Sequence, residues 1–333
     1  VGLTYLALAL SLGIILFGCE LFTNGIEILG KRLNLGDGVV GSIFSAVGTC
    51  LPETLIPIIA ILFSKTETSS MDIGIGAILG APFMLSTLAF FVTGFSVLIF
   101  SRKRKTGLLL QVNPVILSHD IKFFILVYST SIVAAFINSS LVKDFIALGL
   151  IALYIFYIIV TVNSDYVSDH AEEKLIISKY LKVRPGLGWV LFEVSLALGA
   201  IIFGAGIFVD NIQIISTRLG IPALVLSLII TPIATELPEK FNSIIWISKK
   251  KDTLALGNIT GAMVFQSCIP VAIGILATPW KLDTAGALSG FISIASAMLV
   301  YLELSFKKKL SAMTLMMGAA FYSIFILYLL ILK

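Results

Sequence analysis

Apolar stretches of about twenty residues recur along nearly the whole chain, and a chain built this way has few folds open to it. Segments such as 145–162 and 310–332 are apolar on nearly every face, whereas a helix on the surface of a soluble protein carries a single apolar stripe. The composition agrees: 58% of the 333 residues are hydrophobic, 13% are charged, and the mean hydropathy is +1.06. The predicted class is an all-α polytopic membrane protein, with the lipid bilayer as its principal environment.

Ten transmembrane helices are expected, near 3–30, 38–63, 73–99, 121–139, 143–162, 189–217, 221–248, 254–277, 284–303 and 311–332. Loops beyond alternate helices collect seventeen basic residues, among them Arg102, Lys103, Arg104, Lys105, Lys249, Lys250, Lys251, Lys307, Lys308 and Lys309; the other side has five. By the positive-inside rule the richer side is cytoplasmic and both termini lie outside. The net charge of +4 therefore has a topological origin and implies no nucleic acid partner. Compactness suggests a prokaryotic plasma membrane, and nothing in the sequence calls for an obligate protein partner. The chain starts at Val1 on an apolar stretch too long, and without the basic leader, for a signal peptide.

The sequence repeats itself. Residues 17–61 align without a gap with 203–247, pairing Gly18 with Gly204, Arg32 with Arg218 and Thr49 with Thr235, along with a Leu-Pro-Glu triplet. A second register pairs Gly76, Gly80 and Ala81 with Gly257, Gly261 and Ala262. Two five-helix repeats follow, 1–162 and 189–333, joined by a cytoplasmic linker at 163–188. An odd number of helices per repeat makes the second enter the membrane from the opposite side, giving inverted-topology halves.

Each repeat carries one phrase, GTCLPE at 48–53 and ATELPE at 234–239, inside a segment apolar enough for the bilayer. A carboxylate at that depth costs about 2.5–3.5 kcal/mol on insertion scales, so Glu53 and Glu239 point to a use. Pro52 and Pro238 remove backbone donors and are expected to break helices 2 and 7. That predicts discontinuous helices whose freed carbonyls, from residues such as Ala46, Thr49, Pro232 and Thr235, face an ion. Carboxylates, carbonyls and hydroxyls together make an oxygen cage suited to a hard cation such as calcium, and two glutamates match one divalent charge. The plainer alternative is that each Glu pairs with a neighbouring helix.

The run FTNGIEILGKRLNLGDGVVGSIFSAVGTCLPE, its later partner ending in ATELPE, and the following GNITGAMVFQ resemble the two alpha-repeats of the sodium/calcium exchanger family, within the cation/calcium antiporter superfamily. The resemblance spans nearly the whole chain. It implies an antiporter in which Glu53 and Glu239 ligate the transported cation, Ca2+, with oxygens of Thr49 and Thr235 beside them and Na+ or H+ as counter-ion. It implies no further cofactor. Departures from the family phrase are specific. Cys50 and Glu236 replace its serine in the two copies. On the partner helices two expected serines are Ala81 and Ala262, and the central polar pair is Leu85 and Gln266. Fewer hydroxyls weaken sodium sites. Buried, closely spaced carboxylates favour the proton-bound form, so H+ coupling is the alternative to Na+.

Cys50 invites a softer metal, although a single buried thiol behaves more often as a small apolar group. Cys19, Cys50 and Cys268 have no CxxC spacing and read as free thiols. Glu20, Asn24 and Glu27 share a face of the first helix, where interhelix bonding is the simpler reading. A passive channel and an inactive transporter relative are competing readings. An enzyme using Glu53 and Glu239 as acid and base is disfavoured, because His119 and His170 stand near no nucleophile motif.

Overall fold

The computed structural model describes residues 2–32, 50–62, 67–162 and 186–331; within these, several side chains, including those at 51, 52 and 237–242, fall outside the description. Eleven α-helices occur among the described residues: α1 (Gly2–Arg32), α2 (Leu51–Leu62), α3 (Glu67–Met84), α4 (Phe90–Phe100), α5 (Pro114–Ala134), α6 (Ser140–Val162), α7 (Leu187–Leu219), α8 (Ala223–Ser248), α9 (Asp252–Ala277), α10 (Thr284–Lys307) and α11 (Ala312–Ile331). A π-helical segment, Leu85–Ala89, joins α3 to α4 into one kinked rod. Among the described residues eight segments are long and apolar enough to cross a membrane, while α2 and α8 contribute the shorter apolar runs Glu53–Leu62 and Ala223–Glu236.

Local chemistry sets the helix ends. Asn113 caps α5, its side chain accepting from the backbone N–H groups of Val115 and Ile116, and Pro114 follows in the first turn, where a missing N–H costs nothing. The helix thus starts seven residues before the expected 121, which brings Asp120 inside it. Asp283 caps α10 by accepting from the Gly286 N–H at 2.7 Å. Gly220, with φ of 63°, closes α7 in the left-handed conformation that glycine takes without penalty.

Helix α8 corrects one expectation. It runs unbroken from Ala223 to Ser248 through Pro232 and Pro238, so the predicted break in helix 7 is absent. A proline deletes a single i to i−4 hydrogen bond, and packing by neighbouring helices tolerates that loss in a membrane bundle. The corresponding break in helix 2 lies outside the described residues. What is described is the start of α2 at Leu51, which puts Pro52 in its first turn.

Helices α1 and α7 form one packed pair and the rest form the main bundle. A side chain at Gly18 would press on Ile201 and the Ala197 carbonyl (3.2 Å), and one at Gly204 on Ile15 and the Ser11 carbonyl (3.1 Å). These are the two glycines the repeat aligns, and each lets the partner helix come close. In the bundle, α3 packs on α8, and α2 on α9. Helix α9 also lies against α5 and α6, while α3 and α4 lie against α10 and α11. Gly76 and Gly80 admit α8 so closely that a Cβ would collide with the carbonyl oxygens of Leu224 and Leu228.

Two faces of the bundle are tied differently. On one, Leu109–Leu110 pairs antiparallel with Leu310–Ser311, joining the α4–α5 and α10–α11 connections. On that same face Arg104 donates to both carboxylate oxygens of Asp252, one of them at 2.9 Å, and to the Ile247 carbonyl at 3.2 Å. Three basic loops of the expected cytoplasmic side therefore converge, and Arg104 is buried there. On the opposite face the Lys143 ammonium donates to the carbonyls of Pro279 and Trp280. The buried indole of Trp280 donates to the Ser131 carbonyl at 3.0 Å.

Candidate functional site

The motif helices α2 and α8 and their partners α3 and α9 pack on one another at the middle of the bundle. Glu53, in the first turn of α2, is only 2% exposed. Glu236, on α8, is equally buried at 2%, and Thr235 beside it is fully enclosed. The Thr235 hydroxyl donates to the Thr231 carbonyl at 2.9 Å, which leaves the lone pairs of its oxygen available to a ligand. Pro232 is buried at the α3–α8 crossing, where its ring faces Gly80. With α8 continuous, the carbonyl that Pro238 leaves without a helical donor is that of Ala234, four residues before it, in place of the Pro232 carbonyl expected from the sequence.

Gln266 on α9 is fully buried, and neither polar atom of its amide has a hydrogen-bond partner among the described residues. Such a side chain costs about 1–3 kcal/mol unless something supplies the missing partner. Facing the same central region from the other half, Leu85 opens the π segment at 0% exposure, and Ala81 one turn earlier is also buried. Ala262, one turn before Gln266, is buried as well. On the outer side of the π segment the Ser86 carbonyl accepts from Ser296 of α10 at 2.6 Å, and the Thr87 carbonyl, which accepts from the Phe90 N–H, abuts Gly318 of α11.

Ala46 and Thr49 lie outside the described residues, as does the side chain of Glu239. Among the described residues no group of three or more His, Cys, Asp or Glu side chains could hold a metal ion by themselves. Cys50 and Cys268 are both buried. Asn24 is buried on α1 and Glu20 is exposed. A surface groove of about 580 Å³, lined by Asp210, Gln213, Ile214, Thr217 and Arg218, lies on α7 apart from these motif residues.

One polar cluster was not anticipated. Asp120 of α5, 6% exposed, accepts from the Tyr157 hydroxyl of α6 at 2.9 Å and from the Thr260 hydroxyl of α9 at 2.8 Å. The signal was present in the sequence as the Asn113–Pro114 pair, a cap followed by a first-turn proline, which moves the start of the helix upstream of Asp120.

The family model for the sodium/calcium exchanger protein matches residues 3–163 and 187–333. The chain belongs to the sodium/calcium exchanger family. The two matched stretches leave out only the region of the expected linker between them. Among relatives of this family, an uncharacterized membrane protein, MJ0091, from Methanocaldococcus jannaschii is 26% identical over 268 residues, covering 80% of each chain. Among solved structures, an H+/Ca2+ exchanger, CAX, superposes with a TM-score of 0.73 at 17% identity, over 98% of this chain and 82% of the other. The sodium-calcium exchanger NCX_Mj gives 0.55 at 21% identity, over 99% of both chains. At these identities the likeness speaks for the fold, an exchanger-type helical bundle.

Proposed function

We infer that this member of the exchanger family is a secondary active antiporter that moves Ca2+, or a similar divalent cation, against protons by alternating access. Glu53 and Glu239 are its principal ligands. Thr49, Thr235, Glu236, Gln266 and carbonyls near Ala46 and Pro232 complete the set. The observation that carries this reading is Gln266: a fully buried amide, unsatisfied among the described residues, on the helix that packs against the helix of Glu53. Its oxygen suits a hard cation, and a bound ion or its water would supply the partner it lacks.

Protons are favoured over sodium by apolar positions in both halves. Ala81, Leu85 and Ala262 are buried where hydroxyl or amide oxygens would serve a sodium ion, and none of the three side chains has an oxygen. Buried carboxylates, by contrast, take up protons readily when a divalent ion leaves.

The reading includes ten spans in two inverted halves with both termini outside. Helix neighbours support it. The α2–α9 contact has its counterpart in α8–α3, the α9–α5 contact in α3–α10, and the α9–α6 contact in α4–α11, each pair exchanging under a swap of the halves.

Calcium flux in proteoliposomes tests the ligand assignment. Glu53→Gln and Glu239→Gln, made singly, each remove one charge from a buried arrangement worth about 3–5 kcal/mol, so transport is expected to fall about 100-fold or more. Wild-type flux in both variants means that the glutamates are structural.

A further inference from the structure

We propose that Asp120 is a positioning residue for the cation site, acting through Thr260 to fix the rotation of α9. Its two carboxylate oxygens are divided between two helices: Oδ1 accepts from Tyr157 of α6 and Oδ2 from Thr260 of α9. Thr260 has a single proton, and the 2.8 Å contact to Asp120 takes it in preference to the Gly257 carbonyl at 3.4 Å. Asp120, Tyr157 and Thr260 are all nearly or fully buried, so water cannot substitute freely for either bond.

The geometry of α9 gives this clamp its consequence. Thr260 and Gln266 are six residues apart, about 240° around a helix of 3.6 residues per turn, so they project from different faces. Thr260 is held outward by α5 and α6. Gln266 is thereby turned away from that contact, on a helix that also packs against α2 and α3. Rotation of α9 that lengthened the Thr260–Asp120 bond would swing the Gln266 amide with it. The aromatic neighbours stiffen the same wall: Tyr157 stacks on Tyr154 at 6.3 Å, and Tyr154 meets Phe265, next to Gln266, edge-on at 5.4 Å. His119, half exposed, stacks on the outer side of Tyr157 at 6.0 Å and closes the cluster towards the loop.

What this says about affinity rests on the cation-exchange reading above; what it says about α9 does not. The test uses the full chain in proteoliposomes with calcium as the probe, comparing Thr260→Val, Thr260→Ser, Asp120→Asn and wild type. Amide hydrogen exchange across α9 is followed in parallel. Loss of a hydrogen bond to a charged group is expected to raise the half-saturating calcium concentration about tenfold in Thr260→Val and Asp120→Asn, with the maximal rate kept. Thr260→Ser, which keeps the hydroxyl, is expected to match wild type in rate, half-saturation and exchange. Wild-type half-saturation in Thr260→Val, or a Thr260→Ser variant as impaired as Thr260→Val, would overturn the proposal. If wild type moves no calcium, the functional reading fails and the clamp is judged on exchange alone. Faster α9 exchange in Thr260→Val but not in Thr260→Ser then upholds it, and unchanged exchange in both overturns it.

Discussion

Helix α9 and the α3–π–α4 rod occupy corresponding places in the two repeats, yet they are built from different chemistry. In α9 the wall is polar and braced: Gln266 keeps an amide unsatisfied among the described residues, Thr260 bonds to Asp120, and Asp252 at the helix start is held by Arg104 and by the Gln111 N–H at 2.7 Å. In the rod the matching positions are Leu85, Leu79 and Met71, all apolar, and the helix relaxes into a π segment whose Ser86 carbonyl accepts from Ser296 of α10. The sequence repeat is symmetric in Glu53 and Glu239, in Thr49 and Thr235 and in Ala81 and Ala262, and asymmetric where Cys50 stands against Glu236 and Leu85 against Gln266. The pair Leu85 and Gln266 thus supplies one side-chain oxygen where the family phrase has two, which is poor provision for several monovalent ions.

The largest expected effect comes from removing the brace. Arg104→Ala leaves the buried Asp252 carboxylate without its ion partner and should cost about 3–5 kcal/mol, read as lost thermal stability in lipid nanodiscs. Met71→Ala, at the matching place in the rod, should cost clearly less. If the two losses are equal, the brace contributes nothing particular to α9.

Next comes Gln266→Leu, which makes the two walls alike. The half-saturating calcium concentration should rise about tenfold, the equivalent of one lost contact to a charged group. Stability should be unchanged or improved, because an unsatisfied buried amide has gone. Lower stability with unaltered calcium affinity would mean that Gln266 has a packing role alone.

Gly80→Ala probes the rod. The new methyl would meet the Leu228 carbonyl and the Pro232 ring, and overpacking of this kind costs about 1–3 kcal/mol, read again as thermal stability. The smallest effect is expected from Leu85→Gln, the converse of the α9 change. A buried amide costs about 1 kcal/mol or more in stability, and a gain in sodium sensitivity of calcium flux would show that the missing oxygen had excluded that ion.

The fold was largely legible because lipid forces helices and the helices are apolar throughout; observed and expected ends mostly agree within a few residues. The exceptions have physical causes. The start of α5 was expected at 121, although Asn113 and Pro114 form a cap upstream. Pro238 was read as a break, but one lost hydrogen bond is too little to interrupt a helix packed on its neighbours. At the site, burial of Glu53, Thr235 and Glu236 follows directly from carboxylates and hydroxyls set among apolar residues. Of the Asp120–Tyr157–Thr260 cluster only Thr260 was legible, as a polar residue within a span and so a candidate for interhelix hydrogen bonding; its partners come from two other helices and no local pattern links them. Arg104 was likewise counted as a surface charge; its ion partner lies 148 positions away in the chain.

The central claim, exchange of a divalent cation for protons at a site with one polar wall, is tested most directly by loading proteoliposomes with calcium and imposing a pH gradient or a sodium gradient separately. The account predicts calcium efflux driven by the pH gradient, abolished in Glu53→Gln, with little response to sodium at constant pH. Efflux driven equally well by sodium at constant pH would contradict it.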